Sequence, residues 1–103
     1  RQRQSRQVCL CFFGDGASNR GSFHEALNLS AIWKLPVIFL CENNGWGSTT
    51  SHRYASSVPD VAMRASAYGL TGVMVVGMVA VAVHEAVRSA SYRALAASDA
   101  VTV

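Results

Sequence analysis

The chain lacks any apolar run long enough to cross a bilayer. Its longest nearly uncharged stretch, Leu70 to Val83, is broken by Gly72 and Gly77 and falls short of the roughly 18 to 20 residues a spanning helix needs. No long apolar core with a small-residue cleavage site follows the basic N-terminus, which argues against a secretory signal. Zinc-ligand spacing is missing too. His24-Glu25 and His84-Glu85 hint at a metalloprotease helix, but Asn28 and Arg88 stand where the second histidine belongs. With an odd count of three cysteines, disulfides fit poorly. Cys9, Cys11 and Cys41 are therefore expected as buried reduced thiols of an intracellular protein. No aromatic residue interleaves with Arg1, Arg3 and Arg6, whose charges account for the whole formal excess of +3. Residues 1–6 are accordingly expected to form a disordered basic tail, with no nucleic-acid or membrane partner. No internal repeat is present.

What the chain does have is a 103-residue length with half its residues apolar, enough for one small domain with a core over residues 7–103. Gln7 to Phe13 is nearly continuously apolar and β-prone, which predicts a central parallel strand covered on both faces. From Asn19 to Lys34, Phe23, Ala26, Leu27, Leu29, Ala31, Ile32 and Trp33 recur at helical spacing, with Phe23 and Trp33 expected in the core. Ser18 or Asn19 is placed to cap this helix, and Leu35-Pro36 ends it. Val37 to Cys41 reads as a second strand, and the polar stretch Gly45 to Ser57 as a long functional loop. A short helix from Pro59-Asp60 to Tyr68 is closed by Gly69. Val73 to Val76 reads as a third strand, Ala80 to Ala97 as a long helix, and Ala100 to Val103 as the start of a fourth strand. The alternation predicts the α/β class: part of an open parallel sheet with helices on both faces.

Two motifs fall at the carboxyl ends of the first two strands, the edge at which open α/β sheets bind ligands. One is Gly14-Asp15-Gly16, which contains the first acid of the chain; the other is Asn43-Asn44. Either one alone is an ordinary turn former. Their order (strand, Gly-Asp-Gly, helix, strand, Asn-Asn) is what points to a site. Facing a phosphate, a lone carboxylate would be repelled, because two like charges about 4 Å apart cost roughly 4 kcal/mol at an effective dielectric near 20. A divalent cation between them reverses the sign. Asp15 and Asn44 can each give such an ion an oxygen, and a main-chain carbonyl just past Asn44 a third. Gly14 and Gly16 let the backbone approach a ligand, and the free amides of Gly16 and Ala17 at the helix start favour a diphosphate.

These residues resemble the thiamine diphosphate-dependent α subunits of 2-oxo acid and acetoin dehydrogenase complexes. The similarity runs from Phe13-Gly14-Asp15-Gly16-Ala17-Ser18-Asn19 through Glu25-Ala26-Leu27-Asn28 and Trp33-Lys34-Leu35-Pro36-Val37-Ile38-Phe39 to Cys41-Glu42-Asn43-Asn44-Gly45-Trp46-Gly47. It continues through Arg64-Ala65, Ala67-Tyr68-Gly69 and Gly72-Val73 to Val83-His84-Glu85-Ala86-Val87. The resemblance implies a partial thiamine diphosphate-binding fold. Magnesium would be held by Asp15, Asn44 and the Trp46 carbonyl, and the cofactor would lie against Gly14, Gly16, Ala17 and Asn44. It also implies a β-type partner subunit in a heterotetramer and a lipoyl-bearing acyltransferase. The reaction is oxidative decarboxylation of a 2-oxo acid, or cleavage of acetoin, with acyl transfer to lipoyl. None of the family's catalytic side chains falls within this chain, which resembles a fragment: the activating glutamate belongs to the β-type partner, and the catalytic histidines lie further downstream. The compartment implied is the bacterial cytoplasm or the mitochondrial matrix.

The chain departs from the family pattern at Val76-Gly77-Met78-Val79, where two acidic positions have become apolar, and at Thr71 and Met74, which replace a common proline and arginine. Val79 thereby forfeits a helix cap worth about 1 kcal/mol. The apolar patch so formed would suit cover by segments outside this chain. His24 and His84 are read as helix-surface or interface residues, and for His52, in the long loop, an approach to an active site is the lesser of two readings. Two alternatives stand beside the main reading. A haloacid dehalogenase-type Mg-dependent phosphohydrolase shares the Gly-Asp-Gly motif, but here Asn19 replaces a further aspartate and residues 1–13 contain no acid for an Asp-x-Asp nucleophile. The other is a catalytically inert fragment or paralogue of the dehydrogenase.

Overall fold

The computed structural model describes residues 6–96 and 101–102. Strand β1 (Cys9–Gly14) runs parallel to β2 (Val37–Glu42), in a register that pairs Cys9 with Val37 and Gly14 with Glu42. The backbone of β6 (Val101–Thr102) pairs with β2 at Phe39, and β5 (Thr71–Gly72) pairs with β6, giving a parallel sheet of order β1-β2-β6-β5. A separate antiparallel hairpin joins β3 (Trp46–Gly47) to β4 (Thr50–Ser51). The helices are α1 (Gly21–Ile32), α2 (His52–Ala55) and α3 (Ala80–Ala96), with 3₁₀ segments at Asp15–Asn19 and Val61–Tyr68. The protein is thus mixed α/β.

Adjacent residues of β2 feed opposite faces, as the two-residue period of a strand requires. Phe39 joins Phe23 and Leu27 of α1 with Val61, Ala65 and Leu70 on one side. Ile38 meets Ala90 of α3 on the other, with Val8, Val73 and Val87 against them. Helical segments therefore cover β2 from both faces.

Several local expectations are corrected. Among the described residues β1 is the edge strand of the sheet, not a central one, and Cys9, Leu10, Cys11 and Phe12 are all exposed. Cys9 and Cys11 are therefore not buried thiols, while Cys41, on the doubly flanked β2, is half-buried. A run of apolar residues specifies a strand that can be covered on both faces; the cover itself needs further chain. Trp33 is likewise 59% exposed, whereas Phe23 is core. Helix α1 takes Arg20 as its N-cap residue without a side-chain cap, because Ser18 Oγ donates instead to the Asp15 carbonyl at 2.7 Å. Its C-terminal turn closes through Leu35 N–H to the Ser30 carbonyl, with Lys34 at φ 50°, before Pro36. The third strand is Thr71–Gly72 rather than Val73–Val76. Gly72 lies so close to the Ala62 carbonyl that a Cβ there would come within 2.1 Å of the oxygen. The stretch Gly45 to Ser57 is not a plain loop but holds the β3–β4 hairpin and α2. Parts of the tail and of the last strand, residues 1–5, 97–100 and 103, lie outside the described residues.

Candidate functional site

The parallel register sets Gly14 beside Glu42, so the chain leaves β1 into Asp15 and leaves β2 into Asn43 at the same end of the sheet. The two exits then diverge in environment. Asp15 opens the first 3₁₀ segment and is 1% exposed, while Asn43 and Asn44 stay at the surface. Asn43 Oδ1 accepts the Gly45 N–H at 3.0 Å and Asn44 Oδ1 accepts the Trp46 N–H at 2.9 Å, two successive side-chain-to-backbone turns. Gly45, at φ 81°, supplies the left-handed residue that bends this turn back toward β1.

The bend brings Gly47 against Gly16. A Cβ on Gly16 would fall 2.8 Å from the Gly47 Cα, and one on Gly47 would fall 3.0 Å from the Gly16 Cα. Only two glycines can meet in this way. The contact locks the turn after β1 to the hairpin after β2, and so holds Gly16, half-buried Ala17 and exposed Trp46 in one neighbourhood. Gly14, Asn43 and Asn44 also line a cavity of about 610 Å³ with Phe12, Leu40 and Val75, beside the acids Glu42 and Asp60.

The Asp15 carboxylate is turned away from solvent. Among the described residues its buried Oδ2 has no hydrogen-bond partner, and His52 Nδ1 lies 3.7 Å from it. His52 is itself buried, on the first turn of α2, with Nε2 3.3 Å from the Val58 carbonyl. A buried carboxylate oxygen without a donor costs free energy unless something positive completes it. Asp15 and Asn44 each carry hard oxygen of the kind magnesium takes, the first buried and the second at the surface with its Oδ1 accepting the Trp46 N–H. The glycine contact brings the backbones of Gly16 and Gly47 together at this same edge. Among the described residues, no three His, Cys, Asp or Glu side chains cluster as a metal site of their own.

Sequence reasoning missed Arg64, which ties the site together. Its guanidinium donates to the Ser18 carbonyl, to Asn19 Oδ1 at 2.7 Å and to Ser56 Oγ at 2.9 Å, and Asn19 Nδ2 reaches the Ala55 carbonyl at 3.2 Å. This clamps the segment after β1 onto the end of α2. Gly47 was also missed, since a glycine in a polar stretch carries no signal of what it will touch. Cys41 feels the site electrostatically: burial, then Asp15 and Glu42, push its thiol up to about 11. His24 bonds the Tyr68 hydroxyl at 2.8 Å, tying α1 to the second 3₁₀ segment, and His84 is exposed on α3 beside Glu85. His24 thus lies between two elements and His84 on a helix surface. No helix among the described residues is long and apolar enough to cross a membrane.

A family profile described as "Dehydrogenase E1 component" matches residues 1–101. The chain is 51% identical over 92 residues to the α subunit of acetoin:2,6-dichlorophenolindophenol oxidoreductase from Bacillus subtilis, a match covering 89% of the chain and 28% of that protein. It is 46% identical over 88 residues to the pyruvate dehydrogenase E1 component subunit alpha of Porphyra purpurea, covering 85% and 26%. A Cupriavidus necator acetoin:2,6-dichlorophenolindophenol oxidoreductase α subunit is 50% identical over 84 residues, covering 82% and 25%. The chain thus spans about a quarter of the length of these relatives.

Proposed function

Since the chain belongs to the dehydrogenase E1 component family, we propose that it is the magnesium- and diphosphate-binding part of a thiamine diphosphate-dependent 2-oxo acid or acetoin dehydrogenase α subunit. The observation that carries this reading is the buried Asp15 Oδ2 without a donor, at a strand end where Gly16 and Gly47 meet backbone to backbone. Asp15 and Asn44 would hold the cation with the Trp46 carbonyl, and the amides of Gly16 and Ala17 would face the diphosphate. Thiamine diphosphate, when bound, supplies the carbanion chemistry of decarboxylation and acyl transfer to lipoyl. This chain's share is to hold the cation that offsets the diphosphate charge and to orient that end of the cofactor, with Arg64 fixing the segment that carries Ser18 and Asn19. The β-type subunit and the lipoyl-bearing acyltransferase are the partners this reading entails, and the sheet would be part of a thiamine diphosphate-binding fold in a bacterial cytoplasm or an organelle matrix.

Calorimetry with thiamine diphosphate and Mg²⁺, with and without a β-type partner, tests the reading. The expected result is Mg²⁺-dependent binding that Asp15→Ala or Asn44→Ala abolishes. Absence of binding even with the partner would identify an inert fragment, and phosphatase turnover would favour the haloacid dehalogenase-type alternative, which no feature of the site supports.

A further inference from the structure

His52 is used by nothing in the proposed site, yet it is buried against the carboxylate on which that site depends. Its Nε2 lies 3.3 Å from the Val58 carbonyl, a group that can only accept, so Nε2 carries the hydrogen. In the neutral imidazole this leaves Nδ1 as a lone pair, aimed at Asp15 Oδ2 from 3.7 Å. Two acceptors therefore face each other inside the protein, and Oδ2 has no other partner. The gap is too wide for a direct hydrogen bond. It also exceeds the roughly 3 Å between neighbouring ligands of an octahedral cation whose bonds are about 2.1 Å. A water reaching each acceptor at about 2.8 Å would span it.

We propose that His52 is a further residue of the cation site, accepting through Nδ1 a hydrogen from a water on the ion held by Asp15. The inference rests on the cation-site reading above and deepens it. His52 then acts as a positioning residue. It orients the ion's water, and through that water fixes the Asp15 carboxylate, while Val58 fixes the imidazole in the tautomer that leaves Nδ1 free. Removing a group that hydrogen-bonds to a metal's ligands in this way typically costs about ten- to a hundredfold in metal affinity.

The test uses Mn²⁺ as a paramagnetic probe on the full chain, with thiamine diphosphate present. Electron spin-echo modulation should show weak imidazole nitrogen coupling in the wild type, and growth on ¹⁵N-histidine should change its pattern. His52→Leu, which fills the buried space without an acceptor, should lose the coupling and bind Mn²⁺ roughly tenfold more weakly. His52→Asn, whose amide oxygen can occupy the Nδ1 position, should recover most of the affinity. If Mn²⁺ binds in an Asp15-dependent way but shows no histidine coupling, or binds more tightly in His52→Leu, His52 pairs with Asp15 directly and the inference fails alone. If Mn²⁺ binding is absent or survives Asp15→Asn, the cation-site reading itself fails. Should His52→Leu not fold, the isotope comparison on the wild type decides the matter unaided.

Discussion

At the scale of single residues, burial decides which groups can act. Cys9 and Cys11 lie on an exposed edge strand, whereas Cys41 is half-buried beside Asp15 and Glu42, and its thiol is pushed up from 9.0 to about 11. Raising the pKa of an acid means that the folded state holds its proton more tightly than the unfolded one. Cys41 therefore contributes stability that is fully present below pH 9, is lost as pH rises through the window between 9 and 11, and is gone above it. Alkylation with iodoacetamide at pH 8, read by peptide mass spectrometry, should label Cys9 and Cys11 first and leave Cys41 largely unmodified, since the thiolate is the reactive form. Comparable labelling of Cys41 at that pH would show that it is not shielded by burial and the neighbouring acids.

At the scale of elements, the ends of helices and strands matter more than their middles. Helix α3 starts at Ala80, and the Val79 carbonyl accepts the Val83 N–H at 3.1 Å, so valine occupies the N-cap where an oxygen-bearing side chain is favoured. Val79→Asp should raise stability by about 1 kcal/mol in urea unfolding, from the restored cap and the charge at the positive end of the helix dipole. An unchanged midpoint would mean that this end of α3 is held by packing alone. The element order was legible in the sequence because apolar period and punctuation by glycine and proline are local signals. The exact third strand was not. Thr71–Gly72 is a strand only because β6 lies beside it and because Gly72 can back onto the Ala62 carbonyl.

At the scale of the whole molecule, many large apolar side chains among the described residues face solvent. Phe12 is 59% exposed and Met78 94%, and Leu10, Met74, Val76, Val79 and Val81 are exposed with them. Exposed sheet edges and apolar patches associate. In isolation the 103-residue chain should therefore self-associate or bind a hydrophobic dye, read by light scattering coupled to size exclusion, and Phe12→Lys combined with Met78→Lys should reduce both effects. A clean monomer without dye binding would show that the patches are covered by residues of this chain.

What the sequence by itself determined was the alternation of strand and helix, the pair of motifs at two strand ends, and the family to which they belong. Each of these resides in residue type and spacing over short distances. Only the tertiary structure decided that β1 is an edge, that Trp33 faces solvent, that Gly16 touches Gly47, and that His52 and Arg64 converge on the turn after β1. Those outcomes depend on which distant segments meet. A side chain's partners across a fold follow from the path of the whole backbone, and no local pattern around His52 or Arg64 encodes that path.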